Sequence, residues 1–405
     1  MMFLLYYFTI TVLLRTQPMD KTKSPGKGLY KLFLKLTKET MYLLFRSDIE
    51  ILKDVPQPYL LLSNHTTDFD CAFIAVASQA PVSFVATENI LRMGLLGHIA
   101  TNLFHPIVHY KGTMGITTSK HIIKAMRDGK NVAMFPEGNR SFNGTTCPIP
   151  PATAKLARMS HGTLVTYRLE GGYLSSPRWA STLRKGQIRG RVAGVYTPET
   201  LKAMTAEEIQ ATIEKDLQTN AYEEQCRRPI VFQGRKRAEC LESAIFLCPV
   251  CERIGTLNSH GNHLSCGCGF SAEFDEYGMV KTPQSSYTVT TLDEKQKKII
   301  AEICKSSANV CLFSDEVKEQ FVNEKHKAAD SRTVTFCAYS DRFVAGDMVI
   351  PFERITGISI NQRNLLLLHI ANMPGHWEFS GSPSFNALKY LYLYRAVCGS
   401  QNGLL

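Results

Sequence analysis

His65 follows directly on an apolar run, PYLLLSNH, and Asp70 stands five positions further on. A histidine that can take a proton and a carboxylate that can orient it are the general-base half of an acyl-transfer site. On a single helix, residues at i and i+5 lie about 140° apart and cannot touch. They meet if His65 occupies a turn and Asp70 the first turn of the helix after it. PYLLLS lacks helical period and reads as a buried strand, while DCAFIAVAS (70–78) reads as a buried helix with Thr67 or Asp68 as its cap. His65 is then placed at the carboxyl end of a strand, where open α/β sheets bind ligands.

The stretch AMFPEGNRS (133–141) repeats that arrangement. An apolar run ends at Pro136, which cannot donate to a sheet ladder, and a Glu-Gly turn follows with Arg140 just beyond. Arg140 offers a planar fork of donors suited to phosphate, and Gly138 lets the backbone approach an anion closely. The two turns are expected to face one crevice. There is no G-x-S-x-G elbow in the chain, so the acceptor's own hydroxyl stands where a serine nucleophile would be, and attack on an activated thioester is direct.

Four of the twelve cysteines fall within CPVCERIGTLNSHGNHLSCGC. Cys248 and Cys251 form a C-x-x-C knuckle, and Cys266 and Cys268 follow after fourteen residues. That spacing closes a tetrahedral structural zinc site, with His260 or His263 as substitute ligands because the second knuckle is C-x-C. No ligand position is left open for catalysis. The remaining cysteines are scattered, which favours reduced thiols over a disulfide framework.

Short apolar runs at 82–86, 131–135, 163–168 and 187–195 alternate with helical patterns in GITTSKHIIKAMRDG and TAEEIQATIEKDLQ. The alternation predicts an α/β domain, a central sheet flanked by helices, over residues 56–226. A zinc-ribbon-like segment is expected over 227–290. Residues 291–405 are expected to hold a helix and a small β-rich domain closed by FNALKYLYLYRAV.

Residues 1–55 form a membrane-contacting region in this reading. MMFLLYYFTITVLL is apolar but rises only about 21 Å, too short for a bilayer core. No positive residue precedes it and no cleavage pattern follows, which argues against a signal peptide. LYKLFLKLTKETMYLLFR (29–46) reads as a basic amphipathic helix that either lies on anionic lipid or packs on its own domain. The net charge of +10 over 405 residues favours anionic partners: phosphate ligands, a membrane surface or nucleic acid. Its spread along the chain, and a cysteine-bearing stretch (248–270) with Arg253 as its single Lys or Arg, argue against nucleic acid. A His/Asp metallohydrolase lacks ligands near His65.

N-H-x-x-x-x-D at 64–70 and F-P-E-G-x-R-S at 135–141 resemble the first and third motifs of the glycerol-phosphate and lysophospholipid acyltransferases, and the resemblance covers about residues 29–220. It implies a catalytic pair at His65 and Asp70, and acceptor binding by Glu137, Gly138 and Arg140. The second motif's usual arginine is replaced by Lys111 in PIVHYKGT, and the fourth motif's proline is absent from LVTYRLEGG, which carries Arg168. The family implies transfer of a fatty acyl group from acyl-CoA or acyl carrier protein to lysophosphatidate, giving phosphatidate in phospholipid biosynthesis, or to another lysolipid. No cofactor for catalysis is implied. The implied location is the cytoplasmic face of the membrane, peripheral or shallowly inserted.

Overall fold

A computed structural model describes residues 27–87, 105–109, 116–305, 309–324, 327–382 and 385–399. The apolar amino-terminal run and Lys111 lie outside the described residues. The chain divides into two compact units: residues 1–140, 146–175 and 185–219 form the first, and 141–145, 176–184 and 220–405 the second.

In the first unit, β1 (Asp48–Ile49), β2 (Tyr59–Ser63), β3 (Val82–Thr87), β4 (Ile107–His109), β5 (Asn131–Met134), β6 (Thr163–Glu170) and β7 (Arg189–Tyr196) make one sheet, ordered β1-β7-β6-β2-β5-β3-β4. Strands β6, β2, β5, β3 and β4 run parallel, while β7 is antiparallel to β6. Flanking helices are α1 (Lys27–Phe45), α2 (Asp70–Ser78), α3 (Ile116–Arg127), α4 (Ala152–Met159), α5 (Gly172–Ser175), α6 (Pro198–Ala203) and α7 (Ala206–Leu217). The expected α/β domain with a helix-flanked central sheet is thus observed.

Strand β2 explains its own sequence. Side chains alternate across a sheet, so Tyr59 and Leu61 join one apolar cluster with α1 and α2, while Leu60 and Leu62 join another with α3, α4 and α7. Both faces are covered, and the strand is apolar throughout rather than alternating. Each leucine so buried stabilises the fold by about 1.5–3 kcal/mol.

Helix α1 packs one face on its own unit: Tyr30, Phe33, Leu34, Met41 and Phe45 are buried. The Phe45 ring lies 5.0 Å from Phe69 and 5.9 Å from Phe73, directly behind the turn that carries His65. Its other face exposes Lys31, Leu32, Lys35, Lys38, Tyr42 and Leu43. No helix among the described residues is long and apolar enough to cross a membrane.

The second unit begins its regular structure with α8 (Ala221–Arg227). A five-stranded antiparallel sheet follows, from β8 (Leu257–His260), β9 (His263–Cys266), β10 (Ser271–Phe274), β11 (Val280–Lys281) and β12 (Ser286–Tyr287). After α9 (Val289–Ile303), a seven-stranded antiparallel sheet comprises β13 (Phe313–Asn323), β14 (Arg332–Ala338), β15 (Arg342–Ala345), β16 (Met348–Pro351), β17 (Ile355–Asn361), β18 (Leu365–Ile370) and β19 (Gly375–Gly381). Its order is β16-β15-β14-β13-β19-β18-β17, so the long first strand joins two meanders. Helix α10 (Ala387–Cys398) closes it. Tyr390 on that helix packs 4.7 Å from the Phe336 ring and donates its hydroxyl to the Phe336 carbonyl at 2.8 Å.

Candidate active site

Strands β2 and β5 are parallel neighbours, paired from Leu60–Val132 to Leu62–Met134. Their carboxyl ends therefore release the His65 turn and the Glu137–Arg140 turn side by side. The His65 Nδ1 lies 2.8 Å from Asp70 Oδ2. The same Oδ2 accepts the backbone N–H groups of Thr66 at 2.6 Å and Thr67 at 2.9 Å, while Oδ1 accepts the hydroxyls of Thr66 and Thr67 at 3.1 and 2.8 Å. An oxygen that receives two backbone donors is acting as an acceptor, so Nδ1 carries the ring proton and Nε2 the lone pair.

The imidazole is fixed on a second side by Phe135, whose ring stacks on it at 4.5 Å with an 18° tilt. An edge bond and a stacked face together fix the ring, with Nε2 on the edge away from Asp70. Asn64 anchors the turn from below: its side chain accepts the Leu169 N–H at 2.7 Å and donates to the Leu169 carbonyl at 2.8 Å, completing a backbone-like pairing with β6. The expected cap of α2 differs from what is seen. Phe69 is the N-cap residue and makes no side-chain cap bond. Thr67 is instead drawn back to Asp70 and accepts the Phe69 N–H at 3.0 Å.

Glu137 points inward. Its carboxylate is buried and accepts the His65 N–H at 2.6 Å and the Cys147 N–H at 2.6 Å, one on each oxygen. It stitches the two turns together. Burial pushes its carboxyl up to about 8, against the pull of the two N–H donors. The folded state then holds a proton between about pH 4.5 and 8 that the unfolded chain has released. Stability is expected to fall as pH rises through that window, by up to about 1.4 kcal/mol per unit, and to level off above it. Glu137→Gln should flatten this dependence while lowering stability, because an amide cannot accept both N–H groups; thermal melts from pH 5 to 9 are the measurement.

Gly138 adopts φ +67°, which favours glycine, and its N–H closes the turn onto the Phe135 carbonyl at 3.1 Å. Arg140 is nearly buried and pairs through Nη2 with Asp68 Oδ2 at 3.0 Å. The structure thus brings together His65, Asp70, Glu137, Gly138 and Arg140 at the carboxyl ends of two central strands. Strand β4, which precedes Lys111 in the chain, pairs with β3 in the same sheet. Arg168 takes a different job: its guanidinium donates to the carbonyls of Asp216 at 2.7 Å and Lys215 at 3.1 Å, capping the end of α7.

Sequence reasoning gave Asn64 and Phe135 no role beyond their places in the motifs, read Thr67 or Asp68 only as a helix cap, and passed over Thr66. The legible signal was a polar amide at the end of an all-buried strand, where such a group needs a partner.

In the second unit, the sulfurs of Cys248, Cys251, Cys266 and Cys268 all lie within 4.8 Å of one another. Cys248 and Cys268 are 3.6 Å apart, and Cys251 and Cys266 3.8 Å. A tetrahedron with zinc–sulfur bonds of about 2.3 Å separates its sulfurs by about 3.8 Å, so the four residues fit that ion. Each knuckle closes on a residue with positive φ, Glu252 and Gly269, whose N–H bonds back to the carbonyls of Cys248 and Cys266. The shorter second knuckle therefore reaches the same geometry. His260 and His263 pair at the far end of the β8–β9 hairpin, exposed and outside this group.

Residues 46–170 match the acyltransferase family model. Over 135 residues the chain is 30% identical to the 1-acyl-sn-glycerol-3-phosphate acyltransferases of Limnanthes alba and Limnanthes douglasii, a match covering 33% of this chain and 45% of each plant protein. The chain thus spans less than half the length of these curated relatives. The crystal structure of the 1-acyl-sn-glycerophosphate acyltransferase PlsC from Thermotoga maritima is similar at a TM-score of 0.42 with 18% identity, covering 53% of this chain and 90% of that one. The span that matches the acyltransferase family model includes both turns and the whole His65–Asp70–Glu137–Arg140 arrangement.

Proposed function

We propose that this chain is a membrane-associated O-acyltransferase that moves a fatty acyl group from an acyl thioester to the free hydroxyl of lysophosphatidate, forming phosphatidate. The observation that carries the reading is the His65–Asp70 pair, locked by four further donors on the carboxylate and by the Phe135 stack, beside a nearly buried arginine. Nε2 of His65 takes the proton of the acceptor hydroxyl as its oxygen attacks the thioester carbonyl. A tetrahedral intermediate forms; its collapse breaks the C–S bond, and the imidazolium returns the proton to the departing thiolate. Asp70 keeps the ring in the productive tautomer throughout. Acyl-CoA and acyl carrier protein both supply the thioester this scheme needs.

Arg140 and, in the second motif, Lys111 are the proposed phosphate ligands, with Gly138 shaping the turn and Glu137 holding it to the His65 turn. The four-cysteine group is proposed to hold one structural zinc. The α1 face that carries Lys31, Lys35 and Lys38 beside exposed Leu32, Tyr42 and Leu43 supports peripheral contact with an anionic lipid surface, on the cytoplasmic side.

The test is an acceptor panel in mixed micelles. Lysophosphatidate should be acylated with labelled thioester, and Arg140→Ala should weaken its use about ten- to a hundredfold, the worth of one charge-assisted bond. A lysolipid without a phosphomonoester should be less affected. Equal loss on both acceptors would favour a different lysolipid as the substrate, with Arg140 supporting the site's structure.

A further inference from the structure

One partner of Arg140 is Asp68, three positions after His65 on the same turn. Its carboxylate meets the guanidinium at 3.0 Å, yet the two groups are unlike: the Asp68 side chain is 72% exposed and that of Arg140 12%. The arginine is thus held in place by the protein, while the aspartate reaches in from solvent. The exposed aspartate side chain swings away at little cost in packing, and solvent on its side weakens the ion pair. Asp70, two residues on, is by contrast fully buried and saturated with donors. The two carboxylates of this turn therefore have different tasks.

We propose that Asp68 is a specificity-determining residue, an internal anion that occupies Arg140 until the phosphate of an acceptor displaces it. The inference rests on the reading of Arg140 as the acceptor's phosphate ligand. A headgroup that uses Arg140 must first separate this pair, or else lie against a second negative charge; a headgroup without phosphate meets neither cost. Asp68 thereby holds down the preference for phosphate-bearing acceptors and keeps weaker anions off the arginine. It also screens the nearly buried cation while no acceptor is present.

Asp68→Asn removes the charge and preserves the shape. In neutral-detergent micelles, the ratio of kcat/KM for lysophosphatidate to that for a monoacylglycerol should rise about three- to tenfold, the span between an exposed pair and a charge-assisted bond. In an Arg140→Ala background the same substitution should leave the ratio unchanged, because the two side chains act on each other. A merely structural Asp68 would alter both acceptors alike in either background. Calorimetric titration of the full chain with glycerol 3-phosphate gives a second readout, with tighter binding expected for Asp68→Asn. An unchanged or lower ratio, or anion binding no tighter than wild type, overturns the proposal. Absence of acyl transfer to any acceptor together with tighter anion binding would overturn the proposed reaction and leave the role of Asp68 standing.

Discussion

His65→Ala is expected to lower the acyl-transfer rate by about 10²- to 10⁴-fold, the usual contribution of a positioned general base, with little change in melting temperature. The ring is one-quarter exposed, and its partners Asp70 and Phe135 are each anchored elsewhere, so its loss leaves the turn intact. Asp70 predicts a contrast. Its Oδ2 faces N–H donors that cannot reverse, but Oδ1 faces two threonine hydroxyls that can. In Asp70→Asn the amide oxygen can therefore take the N–H side and the NH₂ can donate to Thr66 and Thr67. The fold and the tautomer survive, and what is lost is the negative charge that steadies the imidazolium. Asp70→Ala instead strands two backbone N–H groups, at about 1–3 kcal/mol each. Initial rates and melting curves for the three variants separate these effects; wild-type turnover by His65→Ala would sink the mechanism.

Freshly purified, reduced protein is expected to carry about one zinc per chain, and chelation or Cys251→Ser should remove it and unfold the ribbon. Structural zinc contributes about 10–16 kcal/mol of apparent binding energy in small domains at neutral pH, more than their apolar cores supply. Here the knuckles are turns with few apolar side chains: Val250 is exposed, and in the second knuckle Gly267 and Gly269 flank Cys268. The readouts are metal analysis, a count of reactive thiols with and without chelator, and a melting curve. Metal-free protein with an unchanged melt would refute the site.

Some of this was legible because the deciding forces are local. The pairing of His65 with Asp70 follows from one strand end, one turn and one helix start within a few residues, and the helix register leaves no other way for those side chains to meet. The cysteine knuckles are equally local, since each ligand pair is set by its own turn. The all-apolar strands foretold a sheet covered on both faces.

Other features required the tertiary structure. That the His65 and Arg140 turns are neighbours depends on β2 pairing with β5, strands some 70 residues apart, and no local pattern fixes strand order. The same pairing decides which way each acid faces. Glu137 reads in sequence as one more group beside Arg140, but the adjacent β2 turn offers it an N–H, and burial holds its carboxylate there. Asp68 and Asp70 are both acids on one short turn; the chain's path sends one to solvent and Arg140, the other into a cage of donors. Arg168, which in sequence is simply the charge in a run that lacks the fourth motif's proline, is claimed by the free carbonyls of α7. The sequence by itself determined which chemistry the chain carries, because residue type and short spacing set that. Which charges meet at the two turns was decided only by the fold, because a charged side chain goes to whichever partner long-range packing brings within reach.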